Sequence, residues 1–209
     1  MESITLLNQE CCALGIRPTD RQLEMLLQWI KLLQKWNTAY NLSALNSTEQ
    51  IIRYLIIGSL AAIPYLRGNT VLDVGSGCGV PGIPLAILAP HHQYTLIDSN
   101  GKKTRFLEHC RIFLELSHIE IKQIRAENFI PRIKFDTIIS RALSSLERFI
   151  ASTLHLGHKQ THWLALKGKI SPQELQKLDS IATEIGLRHR LKVLNTMKEE
   201  TGNLVLVRY

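Results

Sequence analysis

Glycines at 75, 77, 79 and 82 follow directly on the apolar run Val71-Leu72-Asp73-Val74. That run reads as a buried parallel strand, and Pro84 to Ala89 beyond the turn reads as a helix. Strand, glycine turn and helix make the first half of a nucleotide-cradling βαβ unit. Glycine is needed there because the backbone must turn sharply and admit a ligand where a Cβ would collide. Asp73 lies inside the strand in the order Asp-x-Gly-x-Gly, which places a carboxylate at the rim of the turn. A cationic, zwitterionic methionine end would give that carboxylate a partner, directly or through water, so S-adenosylmethionine is the expected ligand. Gly77-x-Gly79-x-x-Gly82 also satisfies the dinucleotide pattern G-x-G-x-x-G, but it starts too far beyond the strand and contains Pro81.

The next strand, Tyr94 to Asp98, ends in an acid about 20 residues after the turn, where a ribose-binding carboxylate belongs in a doubly wound sheet. Asp98 is therefore expected at the ribose hydroxyls or at a nearby helix N-terminus, with Ser99 and Asn100 available to cap the following helix. A third strand, Ile119 to Arg125, leads to Ala126 and Glu127. In class I methyltransferases the turn after this strand lies beside the adenine, which makes those two residues adenine-edge candidates. Phe135 to Ser140 reads as a fourth strand with Arg141 at its carboxyl end, and His162 to Leu166 as a fifth, closing in Lys167-Gly168. Pro172 to Ile185 reads as a helix. Leu191–Leu194 and Leu204–Arg208 suggest a closing antiparallel pair. The expected fold class is α/β: a Rossmann-like, mostly parallel seven-stranded sheet with a terminal antiparallel hairpin and an N-terminal helical extension. Residues 1–67 are expected as a helical segment packed on the core, and 68–209 as the catalytic domain.

In that helical segment, Thr19-Asp-Arg-Gln22 has the form of a capping box, and Leu23, Leu26, Leu27, Ile30 and Leu33 recur on one helical face. Trp29 and Trp36 beside this stripe are read as packing residues rather than base-stacking ones. Asn37 to Ser43 is a polar break. Ser47 caps a further apolar helix, Ile51 to Ile63.

With 209 residues, 45% of them apolar, the chain can bury a full core. No apolar run approaches the roughly 20 residues of a membrane span, and the N-terminus lacks the features of a secretory signal. The four cysteines, 11, 12, 78 and 110, form no C-x-x-C pair, which fits free thiols in the cytoplasm. Cys78 is read as small-residue filler in the turn. Eight histidines show no metal spacing, and His91-His92 reads as a surface loop; no metal is expected. The net charge of +7 favours an anionic partner. Its basic residues cluster after strands, with Lys102, Lys103, Arg105 and Lys169 as candidate contacts to RNA phosphates.

Several runs together resemble one family. They are Lys35-Trp-Asn…Asn41-Leu-Ser-Ala44, Asp73 to Pro84, Leu96-Ile-Asp-Ser-Asn-Gly-Lys-Lys103, Ser140-Arg-Ala142 and Leu166-Lys-Gly168. In that order they are similar to the bacterial 16S rRNA methyltransferase G family (RsmG, or GidB). The resemblance implies methyl transfer to N7 of guanine 527 in 16S rRNA of the small ribosomal subunit. It implies cofactor contacts at Gly75, Val80, Ala126, Glu127 and Arg141, to which the residue-level reading adds Asp73, Gly77 and Asp98. One departure stands out: the family usually carries His-x-x-Asp-Ser-Leu where this chain has Leu55-Ile-Ile-Gly-Ser-Leu60. The intact cofactor-side motifs still imply an active enzyme, expected to work as a monomer without metal or membrane.

Guanine N7 has an exposed lone pair and no proton, so attack on a sulfonium methyl needs alignment rather than a general base. Arg141 and Lys167 are expected to flank the transfer crevice, as positioning groups for guanine O6, phosphates or the methionine carboxylate. An ion pair between Arg141 and Glu147 is the plainer reading of that arginine. Exocyclic-amine transfer would want an Asn/Asp-Pro-Pro-aromatic motif where Ser140-Arg-Ala-Leu143 stands, and cytosine C5 transfer a Pro-Cys, which is lacking. Two other classes stay open: a methyltransferase for a small molecule or protein, and an RNA-binding module with a degenerate cofactor pocket.

Overall fold

The computed structural model describes residues 2–141, 145–168, 170–184, 186–194 and 202–208. Helices α1 (Glu2–Ala13) and α2 (Asp20–Tyr40) come first. Thr19 opens α2 with the expected capping box. Its hydroxyl accepts from the Gln22 N–H at 3.3 Å and its own N–H donates to Gln22 Oε1 at 3.0 Å, which satisfies donors the first turn leaves free. Leu23, Leu26, Ile30 and Leu33 are buried, as is Trp29, and Trp36 packs on Phe106 with ring centroids 5.6 Å apart.

The break expected at Asn37 comes later. Asn37 stays helical and buried because its amide donates to the Ser43 carbonyl at 2.8 Å while its Oδ1 accepts from the Ser43 N–H at 2.8 Å. The helix ends at Asn41, which takes the left-handed conformation (φ 49°) that Asn tolerates. Helix α3 then spans residues 48–60, capped by Ser47 and π-helical through Ile51–Ile57.

Seven strands follow: β1 (Thr70–Val74), β2 (Gln93–Asp98), β3 (Ile119–Gln123), β4 (Phe135–Arg141), β5 (Gly157–Lys167), β6 (Arg188–Leu194) and β7 (Gly202–Arg208). They form one sheet in the order β3-β2-β1-β4-β5-β7-β6, parallel from β1 to β5, with β7 antiparallel to both neighbours. The connecting helices are α4 (Gly82–Leu88), α5 (Gly101–Phe113), α6 (Leu146–Thr153) and α7 (Pro172–Glu184). Strand side chains alternate between two cores. Val71, Leu96, Ile139 and Leu166 pack with the N-terminal helices, α4 and α5, whereas Leu72, Ile138, Trp163 and Ala165 pack with α6 and α7. Two covered faces explain why the parallel strands are nearly continuous apolar runs.

Arg141 is the last residue of β4 rather than a loop residue beyond it, and β5 begins at Gly157, five positions ahead of the expected His162. His92 is not at the surface. It is buried, with Nδ1 donating to the Gly68 carbonyl at 2.9 Å, and burial, then the neighbouring His91, pull its pKa down. No described helix is long and apolar enough to cross a membrane, and no cluster of potential metal ligands occurs among the described residues.

Candidate cofactor and transfer site

The strand order reverses between β1 and β4, and in an open α/β sheet ligands bind outside the carboxyl ends at such a point. The glycine turn sits there. Its first residues hook onto the neighbouring strand, Gly75 N–H and Ser76 N–H donating to the Ile97 carbonyl at 2.8 and 3.1 Å. Gly77 and Gly79 take φ of 56° and 96°, a region other residues rarely enter. A Cβ on Gly79 would also meet Ile83 Cγ1 at 2.6 Å.

Two carboxylates brace this turn from behind. Asp98 Oδ2 accepts from the Gly77 N–H at 3.0 Å, and its Oδ1 accepts from the Asn100 N–H at 2.8 Å. Asn100 in turn caps α5 through the Lys102 N–H at 2.9 Å. Asp98 therefore ties the glycine turn to the residue that caps α5. Asp73 is not at a rim. It is fully buried, with Oδ2 accepting from the Gly82 N–H at 3.0 Å and Oδ1 lacking any hydrogen-bond partner. Burial pushes its carboxyl up to about 7; the Gly82 N–H and the nearby Ser76 hydroxyl pull the other way, and the Asp98 charge adds to the rise. Cys78 is buried and its thiol pushed up to about 11 by that burial, with Arg141 opposing, which makes it inert filler.

Around the turn, Val80 is buried beside a cis Val80–Pro81 bond. Asp98 pairs in register with Gln123, three residues before Ala126, which is buried at the start of the 3₁₀ turn Ala126–Asn128, and Glu127 is exposed. Lys103, grouped by sequence with the RNA contacts, instead turns inward. Its Nζ lies 3.8 Å from Asp98 Oδ2 and 4.0 Å from where a Gly77 Cβ would stand. Lys102 and Arg105 are exposed on the first turns of α5. Lys169 and Ala142 lie outside the described residues.

Arg141 reaches across to α3. Its Nη1 donates to the Leu55 carbonyl at 3.3 Å, and a Cβ on Gly58 would stand only 3.0 Å from the same nitrogen. The altered Leu55–Leu60 segment therefore forms the seat of this guanidinium. Burial lowers its pKa, and among the described residues no carboxylate counters that; Glu147 is not its partner. Sequence reasoning missed this seat because its signal, a glycine one helical turn beyond an apolar residue, is indistinct from ordinary packing.

The structure does not bring Arg141 and Lys167 together. Arg141 is paired with Leu166 across β4 and β5, so the next residue, Lys167, projects from the opposite face. There Lys167 forms a short ion pair with Glu174 of α7, and Glu174 Oε1 also accepts from the Leu146 N–H at the start of α6 at 3.0 Å. What converges at the crevice is thus the glycine turn, Asp73, Asp98, Lys103, Ala126 and Arg141. The unpartnered Asp73 oxygen, next to a turn whose glycines leave room for a ligand, fits a cofactor with a cationic end.

Residues 22–203 match the family model described as rRNA small subunit methyltransferase G. Relatives named ribosomal RNA small subunit methyltransferase G from Stutzerimonas stutzeri and Legionella pneumophila are each 48% identical to this chain, over 167 and 152 residues. The alignments cover 79% and 73% of this chain and 78% and 73% of those relatives. Among solved structures, a SAM dependent methyltransferase from Aquifex aeolicus matches with a TM-score of 0.59 at 16% identity, over 81% of this chain and 97% of that one. At that identity the likeness is one of fold.

Proposed function

This chain belongs to the rRNA small subunit methyltransferase G family, and on that footing we propose that it transfers a methyl group from S-adenosylmethionine to N7 of guanine 527 in 16S rRNA. The observation that carries the reading is the glycine turn braced by Asp98 on Gly77 and Asp73 on Gly82, with a buried Asp73 oxygen left over. When bound, S-adenosylmethionine supplies a sulfonium methyl open to in-line displacement by an unprotonated nitrogen.

The rest is the work of the chain's own groups. Asp73 Oδ1 offers an acceptor to a cationic amino group, directly or through water. Asp98 keeps lone pairs beyond its two backbone N–H bonds for ribose hydroxyls. Gly75 and Val80 line the turn, and Ala126 and Glu127 flank the adenine edge. Arg141 spends one N–H on Leu55 and presents the others to guanine O6 or a neighbouring phosphate. No residue need take a proton, so the barrier falls mainly by alignment and by excluding competing poses. Lys167 acts as a positioning residue, holding Glu174 on the start of α6. Lys102, Arg105 and Lys169 steer RNA phosphates toward the crevice, with Lys103 between the two tasks. The partner is the small ribosomal subunit or its 16S rRNA, met by a monomer in the cytoplasm.

Calorimetry with S-adenosylhomocysteine tests the pocket: an absence of binding leaves only the RNA-binding reading. Mapping N7-methylguanine in 16S rRNA from a deletion strain and a complemented one tests the substrate. A mark that persists without the gene, or fails to return with it, would overturn the assignment.

A further inference from the structure

At the far end of the sheet, where the parallel strands begin, lies a cavity of about 370 Å³. Arg67 enters it from the residues ahead of β1, Asp136 from β4, Lys159 and His162 from β5 and Arg208 from the end of β7. The three cations are exposed, and no ion pair occupies any of them among the described residues. Asp136, the acid on the wall, is committed elsewhere. Its Oδ2 accepts from the Asn69 and Thr70 N–H groups at 2.8 and 3.0 Å and from the Thr70 hydroxyl at 2.9 Å, and its Oδ1 meets His158 Nε2 at 3.1 Å. Three positive charges against one such carboxylate leave the cavity cationic.

His162 shows that two of those charges converge. Its Nδ1 donates to the Tyr65 carbonyl at 3.1 Å, which orients the ring. Burial is the main cause of its lowered pKa, opposed by the Tyr65 bond, and both Arg67 and Arg208 add to the fall. The imidazole therefore adds no charge to the cavity near pH 7 and, with its one proton given to Tyr65, leaves the arginines and the lysine as the donors. A pocket with converging guanidinium forks and an ammonium suits a phosphodiester, whose oxygens accept bidentate bonds.

We propose that this cavity is a second phosphate-binding site for the RNA substrate, separate from the methyl-transfer crevice. It lies at the amino ends of β4 and β5, whereas the crevice lies at the carboxyl ends. The five residues of β1 alone separate the two ends by about 17 Å. An RNA that touches both sites must therefore span at least that distance across the protein. The inference rests on the rRNA reading above.

The test compares the full chain with two triple variants of equal net charge. Arg67→Gln/Lys159→Gln/Arg208→Gln empties the cavity of cations. Arg17→Gln/Lys31→Gln/Lys177→Gln removes three exposed cations elsewhere. Affinity for small ribosomal subunits lacking the methyl mark is measured between about 50 and 200 mM salt, and S-adenosylhomocysteine affinity alongside it. For the cavity variant, the plot of log affinity against log salt should become shallower by about 2 to 3, since each lost phosphate contact removes about 0.7 to 0.9. The control variant should keep the parent slope, and both should bind S-adenosylhomocysteine like the parent. An unchanged slope in the cavity variant, or an equal change in the control, overturns the site while leaving the rRNA reading intact. A parent that binds S-adenosylhomocysteine but not the subunit overturns the rRNA reading, and this inference with it.

Discussion

Asp73 makes the fold's stability depend on pH in the direction opposite to an ordinary surface carboxylate. Its carboxyl is raised from 3.8 to about 7 in the folded protein, chiefly by burial. Between those values the unfolded chain has released the proton while the native chain still holds it, so stability falls as pH rises. The cost is absent below about pH 4 and complete above about pH 7. At 1.36 kcal/mol per pKa unit the full effect is about 4 kcal/mol, of which about 2.5 kcal/mol develops between pH 5 and 8. Asp73→Asn keeps an acceptor for the Gly82 N–H and cannot ionise, and all other titrations cancel when variant and parent are compared. Urea unfolding of both at several pH values should show the parent losing about 2.5 kcal/mol against the variant from pH 5 to 8. Parallel curves would show that Asp73 is not a buried, half-satisfied acid. On the proposed reading the variant should also bind S-adenosylhomocysteine more weakly, because an amide NH2 replaces the acceptor offered to the ligand's cationic end.

Three further outcomes follow from the geometry. Arg141→Ala should leave thermal unfolding close to the parent yet lose most methyl transfer; full turnover would remove this residue from the site. Lys167→Met strands Glu174, whose side chain is only 16% exposed, and should cost about 3 kcal/mol in urea unfolding. Adding Glu174→Gln should recover most of that loss, whereas unchanged stability with abolished turnover would make Lys167 a direct participant. Gly79→Ala places a Cβ 2.6 Å from Ile83 Cγ1 at a φ of 96° and should destabilise by about 2 kcal/mol while weakening S-adenosylhomocysteine binding, both visible in a thermal-shift titration.

The central strands were legible because burial on both faces makes them short apolar runs bounded by glycine or acid, as Val71–Val74 and Tyr94–Asp98 are. The start of β5 was not, since Gly157–Thr161 is polar and is held instead by the Thr161 hydroxyl donating to the Phe135 carbonyl. The acids of the site could be picked out by position, but not by what they bind. Asp73 and Asp98 each accept from an N–H group, 9 and 21 residues away, partners that exist only once the turn has closed. Lys102, Lys103 and Arg105 look alike as a run of charges, and only the helix decides that the middle one faces Asp98. Arg141 and Lys167 looked like companions because each follows a strand. One residue of register separates their directions, and register is a property of the assembled sheet rather than of either segment.

The hydrogen bond from Arg141 to Leu55 joins positions 86 residues apart. A growing polypeptide therefore carries its early helices long before the group they are to seat has been made. Until β4 leaves the ribosome, α3 can rest on β1 and β2 but has no Arg141 to seat, and the crevice lacks that side of its wall. Competence waits on that meeting, so the ribosome must make both the early helices and β4 before the protein can act on ribosomal RNA.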